Sequence, residues 1–421
     1  MTDSPSDPAG SGGLNSDAVD GSAMTLVELT RELTAIPSHE DATAAGDFLE
    51  DWLRTETDAT VTRDAVGNVV ARRGDPDGGT LALVGHHDVV PPDESQLVKS
   101  GADGHETAEQ DASGDGGSAN GRGADEYVVT ERDGRLYGRG TADMKGAVAA
   151  MALAFRDANV AADEDRANGR GQLVFASFVG EEIGGEGVRH AIDEGFAPDV
   201  AVVGEGSTNY SRSGVTDVAV AHKGRRASTI TAHGEAAHAS EPEAGTNAIY
   251  RASGAVDVVR ELSATEVTIA GESLSGSVVV TEIDGGSAWN VVPDRCAITV
   301  DERTVPGERA PLDRVEAIEG VEWAVDQDLP PMACEDDEFA DTVLDVARQV
   351  HEQRGESEPT HVTKPHATDA GWLADRAGTE CVIVGPAEPG EAHTADESVS
   401  IDVLERCQAV YRDIASSWLT A

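Results

Sequence analysis

The sequence predicts an α/β protein of two domains: a larger α/β/α unit built on a mixed sheet, and a smaller α+β unit inserted into it. Three observations point there. Short apolar runs, Leu81–Val84, Leu173–Phe178 and Val200–Val203, end in polar clusters, as buried strands of an α/β sheet do. From about Asp217 the texture changes to β-branched alternation broken by turns. After about Gln327 the helix–strand alternation resumes. The resulting division is 1–22, a disordered acidic N-terminus; 23–216, the first part of the larger domain; 217–327, the insert; and 328–421, its second part.

In chain order, helical periodicity runs from Thr25 to Thr34. Ser38-His39-Glu40-Asp41 then opens a second helix carrying Phe48, Leu49 and Trp52. Strands are expected around Thr60–Thr62 and Asn68–Ala71, before the apolar run that ends in Gly85-His86-His87-Asp88. From about 92 to 126 the chain is Gly-, Ala-, Asp- and Ser-rich, with few core-forming residues, and reads as an acidic surface insertion containing a solvated His105. An alanine-rich helix follows Asp143-Met144-Lys145-Gly146. The insert contributes strands at Val218–Ala221, Ser228–Thr231, Ser277–Val280 and Cys296–Val300, with a helix over Asn247–Leu262. A strand at Cys381–Val384 and a helix from Ser400 to Leu419 close the chain.

With 79 acidic against 31 basic residues, the formal net charge is −48. That excludes a simple nucleic-acid or anionic-membrane binder, since both need a basic face. Lysine occurs only at Lys99, Lys145, Lys223 and Lys364, and the acids are spread throughout. This pattern suits a halophilic protein, because self-repulsion is tolerable where molar salt shortens the Debye length to about 3 Å. Cys296, Cys334, Cys381 and Cys407 lack metal or disulfide spacing and read as reduced core residues. There is no leader-like apolar segment and no run of about 20 apolar residues, so the expectation is a cytoplasmic protein.

Chemistry-bearing residues gather at the predicted strand ends. His86 and Asp88 lie two apart in extended chain and share a side, which suits a ligating imidazole oriented by a carboxylate. Glu181 and Glu182 sit in a Gly-rich turn after one strand, and Glu205 follows another. Read alone, Asp143 is a helix N-cap and Arg303 a surface ion pair. Together the motifs resemble the M20 family of co-catalytic zinc peptidases and deacylases from about Thr25 to the C-terminus, outside the 92–126 insertion. The succinyl-diaminopimelate desuccinylase and acetylornithine deacetylase subgroups are the nearest in pattern.

That resemblance implies two Zn²⁺ ions, replaceable by Co²⁺ or Mn²⁺. His86, Asp143 and Glu205 would bind one; Asp143, Glu182 and His393 would bind the other, with Asp143 bridging. Asp88 would orient His86, and Glu181 would be the general base. His87 is not expected to be a ligand. His238 matches a histidine that reaches a neighbouring subunit's site, which implies a homodimer through the insert as a lid. Asn290 and Arg303 match positions that hold a substrate carboxylate, and Gly371 lies in a loop that admits substrate. Oxygen and imidazole donors suit Zn²⁺, and a carboxylate can shuttle the proton to a leaving amine.

The implied activity is removal of an N-acyl group from a small amino acid. A dipeptidase or carboxypeptidase of the same fold, and a non-catalytic peptide- or metal-binding relative, are the alternatives. Two features depart from the family pattern: Lys364-Pro365-His366-Ala367 replaces a Gly-rich run, and the acidic insertion flanks the first metal motif.

Overall fold

The computed structural model describes residues 24–75, 77–98, 126–158 and 171–420. Expectations for residues 1–22, and for His105 and most of the acidic insertion, fall outside the described residues.

The first helix, Leu26–Ala35, starts where the sequence predicts. Thr25 and Glu28 form a reciprocal capping box that satisfies two otherwise orphaned backbone donors. The second, Thr43–Glu56, starts just after the predicted box. The Asp41 carboxylate accepts the Thr43 N–H at 2.8 Å. Among the described residues the large sheet has nine strands. Its order is Thr60–Arg63, Val69–Gly74, Gln172–Phe178, Thr80–His86, Val200–Val203, Glu380–Ile383, Val218–His222 and Met332–Ala333, with His361–Lys364 also pairing Val218–His222. The central pairs are parallel and the outer ones mostly antiparallel, so the sheet is mixed.

The Leu81–Val84 run shows why the sheet is buried on both faces. Leu81 and Leu83 join one core cluster with the helices Leu26–Ala35, Gly146–Asp157 and Ile401–Thr420. Ala82 and Val84 join a second, with Phe178, Val188, Trp372 and Leu373. Alternation with period two sends successive side chains into opposite layers, which is the α/β/α sandwich predicted.

The smaller unit is a four-stranded antiparallel sheet in the order Ser277–Gly285, Arg295–Thr304, Gly224–His233 and Val321–Leu329. Alternate strand residues Ile230, Ala232, Ile298 and Val300 pack against Ala248, Ala252, Ala255 and Val259 of the helix Ala248–Glu261. Val218–His222 belongs to the large sheet. The predicted boundary at 217 is therefore one strand early, because β-branched composition is shared by strands of both sheets and carries no sheet identity.

The insertion also begins later than predicted. Gln96 is buried, its amide donates to the Thr394 carbonyl at 3.1 Å, and Val98 N–H donates to Glu126 O at 2.8 Å. Residues 93–98 are thus part of the fold, held by polar contacts that an apolar-run reading does not register.

Candidate metal centre

The centre forms where strand ends and loops of the large sheet converge. His86 closes the strand Thr80–His86, and Gly85 before it packs closely: a Cβ there would lie 2.7 Å from Met144 Cε, so that side chain would have to shift. The Gly180–Gly185 turn uses left-handed conformations at Gly180, Gly184 and Gly185 to double back. Asp88 pins it, its two oxygens accepting the Glu181 and Glu182 backbone N–H groups at 3.3 and 3.2 Å. The same residue holds His86, whose Nδ1 lies 3.0 Å from the Asp88 carbonyl and 3.5 Å from its carboxylate.

His86 Nε2 faces Asp143 Oδ1 at 3.2 Å, Glu205 Oε1 at 3.5 Å and Glu181 Oε2 at 4.0 Å. Asp143 Oδ2 faces His393 Nε2 at 3.1 Å, and Glu182 Oε2 lies 3.2 Å from the same nitrogen. His393 adopts φ 63°, uncommon for a non-glycine residue and a mark of a position fixed by its surroundings. Two overlapping groups, His86/Asp143/Glu182 and His86/Glu181/Glu205, each bring their ligand atoms within 4.8 Å of one another. All five residues expected as ligands, together with Asp88 and Glu181, are therefore gathered in one place.

The electrostatics fit a dication site. Asp88, Asp143, Glu181, Glu182 and Glu205 crowd around two histidines and one lysine, an excess of negative charge that metal ions would neutralise. Burial drives Glu181 well above the usual carboxylate range, and the neighbouring Asp369, Glu205 and Glu182 charges add to it. Burial opposes charge on His86, yet the hydrogen-bonded Asp143, Asp88 and Glu205 carboxylates raise its pKa well above the ordinary value. Hydrogen bonds that the His393 ring donates to the Asp143 and Glu182 carboxylates raise its pKa to about 10. His87 behaves as a core residue: its Nδ1 bonds Ser177 Oγ at 2.9 Å, and burial lowers its pKa to about 3.

Three residues were not singled out from sequence. Glu397 is 1 % exposed; one of its oxygens accepts the N–H groups of Gly140, Ala142 and Asp143, and the other pairs with Arg139. Lys364 Nζ lies 3.1 Å from Glu205 Oε2; burial opposes its charge, but Glu205 keeps its pKa raised. Asp369 is buried, neither of its oxygens is hydrogen-bonded among the described residues, and burial lifts its pKa to about 8. The sequence marks Lys364 only as one of four lysines in the chain, which does not place it; its burial is seen in the fold.

Other expected residues lie outside this cluster. His238 is exposed on the smaller unit, its ring bonded to Ser240 Oγ at 2.6 Å. It sits in a two-stranded ribbon beside Asn290, whose carbonyl accepts the Ala239 N–H. Arg303 pairs with Asp301 at 2.8 Å, and its charge reaches His366. Gly371 is not in a loop. It is buried in the short helix Asp369–Trp372, where a Cβ would strike the Pro330 carbonyl; Thr368 caps that helix, and the flanking apolar residues fill the core beneath it.

Histidines and carboxylates converge at strand ends of an α/β/α sheet in groups that could hold metal ions. Residues 82–417 match the family model for peptidase family M20/M25/M40, and the chain belongs to that family. It is 28 % identical over 361 residues to an acetylornithine deacetylase from Myxococcus xanthus, covering 82 % of each chain. It is 28 % identical over 332 residues to a probable succinyl-diaminopimelate desuccinylase from Staphylococcus epidermidis, covering 70 % of this chain and 78 % of that one. Among solved structures, a tripeptidase from Staphylococcus aureus superposes with a TM-score of 0.66 at 20 % identity, covering 94 % of this chain and 98 % of its own. A metallo-carboxypeptidase from Sulfolobus solfataricus superposes with a TM-score of 0.67 at 15 % identity, covering 95 % and 100 %. Likeness at that level shows the shared fold. Among the described residues no helix is long and apolar enough to cross a membrane.

Proposed function

We propose that the chain is a two-zinc amidohydrolase that removes a succinyl or acetyl group from the nitrogen of an amino acid such as diaminopimelate or ornithine. The observation that carries this reading is Asp143, which turns one carboxylate oxygen to His86 and the other to His393, as a bridge between two ions would. His86 and Glu205 would complete one ligand set, and Glu182 and His393 the other. Bound ions would supply Lewis-acid polarisation of the scissile carbonyl and a nucleophile drawn from water at neutral pH.

The chain's own residues do the rest. Asp88 fixes the His86 ring and the backbone of the Glu181–Glu182 turn. Glu181, whose carboxyl burial raises well above the usual carboxylate range, takes a proton and returns it to the leaving amine. Arg303 and Asn290 are assigned to the substrate carboxylate, and Gly371 to close packing where the two units join.

A homodimer formed through the smaller unit is part of this reading. Its edge strand Ser277–Gly285 exposes Val279 and Ile283, and on the same unit Tyr250 and Trp289 are 77 % and 97 % exposed. An open edge and uncovered aromatics are what a second copy would bury. His238, outside its own chain's cluster, would then serve the other copy's site, where it would stabilise the developing oxyanion. On this reading the enzyme works in a salt-rich cytosol, which the acidic excess supports because molar salt screens its self-repulsion.

The test is hydrolysis by the zinc-loaded chain, in molar salt, of N-succinyl-diaminopimelate, N-acetylornithine and a dipeptide panel. Turnover confined to the N-acyl amino acids is expected. Turnover confined to dipeptides would overturn the deacylase reading.

A further inference from the structure

The centre opens into a cavity of about 360 Å³ lined by, among others, Glu181, Glu205, Tyr210, Lys364, His366 and His393. The metal chemistry leaves Lys364 without a stated task. It is 4 % exposed, and its ammonium carries three N–H donors. Among the described residues its only hydrogen-bond acceptor is Glu205 Oε2, at 3.1 Å. Glu205 is divided between two duties: Oε1 turns to His86 at 3.5 Å, Oε2 to Lys364. The ammonium is left with donors that no protein group satisfies, at the wall of the cavity that must admit the substrate. An unfilled donor in so enclosed a place is costly unless a ligand oxygen completes it. Tyr210 and His366 line the same cavity and offer further donors, and no hydrogen bond within the described residues engages the Tyr210 hydroxyl.

Charge points the same way. Two dications would cancel four of the carboxylates at the centre, Asp143, Glu181, Glu182 and Glu205; Glu388, the other acid lining the cavity, faces Arg135 at 3.5 Å, so Lys364 is the cation left facing the loaded cavity. Lys364 and Arg303 stand on different units of the fold, one on the large sheet's edge strand His361–Lys364, the other on the smaller sheet. Of the two, Lys364 lines the cavity, and Arg303 is held by Asp301.

We propose that Lys364, with Tyr210 and His366, forms an anion subsite for a carboxylate at the far end of the acyl group, so that dicarboxylic acyl groups such as succinyl are favoured over acetyl. The inference rests on the amidohydrolase reading above. An acetyl group would leave the lysine donors empty, and a site built to bond a group discriminates against analogues that lack it.

The experiment compares kcat/KM of the zinc-loaded full chain on N-succinyl and N-acetyl forms of one amino acid. Calorimetric affinities for succinate and acetate, and zinc content, are measured beside it. The wild type should favour succinyl by on the order of ten- to hundredfold. Lys364→Met should bring that ratio toward one, whatever it does to either rate alone, and Lys364→Arg should restore part of it. Should Lys364→Met lose zinc through Glu205, Tyr210→Phe leaves that pair intact and should still lower the ratio several-fold. A wild-type ratio near one, or variants that reduce both substrates equally, overturns the subsite. A wild type that hydrolyses no N-acyl amino acid yet binds succinate over acetate sinks the amidohydrolase reading and not the subsite.

Discussion

Glu397 holds the backbone of Asp143: its Oε1 accepts the Asp143 N–H at 3.2 Å, and with it those of Gly140 at 2.9 Å and Ala142 at 3.1 Å. Its other oxygen is paired with the buried Arg139. Because Glu397 lies four residues beyond His393, one carboxylate ties together the two loops that carry Asp143 and His393. Removing one partner of a buried pair strands the other charge, at a cost of about 3–5 kcal/mol. Glu397→Ala should be destabilised by about that much and should retain less zinc; Glu397→Gln, which keeps an acceptor, should lose less of both. Denaturant melts and zinc analysis check this, and wild-type values for the alanine variant would contradict it.

Glu181→Gln should keep the fold and the zinc while kcat falls by about 10²–10⁴-fold, the usual contribution of a general acid–base group. Its Oε2 is farther from His86 Nε2, at 4.0 Å, than the nearest oxygens of Asp143 and Glu205. Loss of zinc together with activity would instead make Glu181 a ligand.

How much of this was legible in the sequence depends on the kind of residue. His86, Glu182 and Glu205 follow recognisable apolar runs, while Asp143 and His393 stand out only through the family resemblance; the fold brings all five together. The α/β/α layering followed from runs such as Leu81–Val84. Glu397 and Lys364 were not legible, because their importance lies in contacts made across 254 and 159 residues of chain. Local pattern carries no signal for such pairs. The strand Val218–His222 was assigned to the wrong sheet for a similar reason: its partners, His361–Lys364 and Met332–Ala333, lie more than a hundred residues away.

Mixing tests the placement of His238. Inactive His238→Ala chains combined with inactive Glu181→Gln chains should regain some activity, since one site in each mixed dimer would hold both an intact Glu181 and an intact His238. Activity is assayed after subunit exchange is verified by tagged co-purification. No recovery would place His238 outside the partner's site.

Salt should stabilise the chain. At a net charge of −48, repulsion acts over roughly 30 Å in dilute buffer and about 3 Å in molar salt. The melting temperature should therefore rise steeply with salt. Residues 99–125 carry six acidic and two basic residues, and their flanks are already joined by the bond from Val98 N–H to Glu126 O. A variant lacking 99–125 should stay folded and need less salt. A salt-independent wild-type melt, or a deletion that does not fold, would contradict these expectations.

The most direct test of the centre is a calorimetric zinc titration of the demetallated chain. Two ions per chain are expected, with Asp143→Asn impairing both sites and His393→Ala only one. In the metal-free chain Asp143 and Glu182 hold His393 protonated up to about pH 10, so binding near neutral pH should release protons and strengthen as pH rises. A wild type that binds a single ion, or an Asp143→Asn chain that still binds two with unchanged affinity, would contradict the bridged two-metal centre.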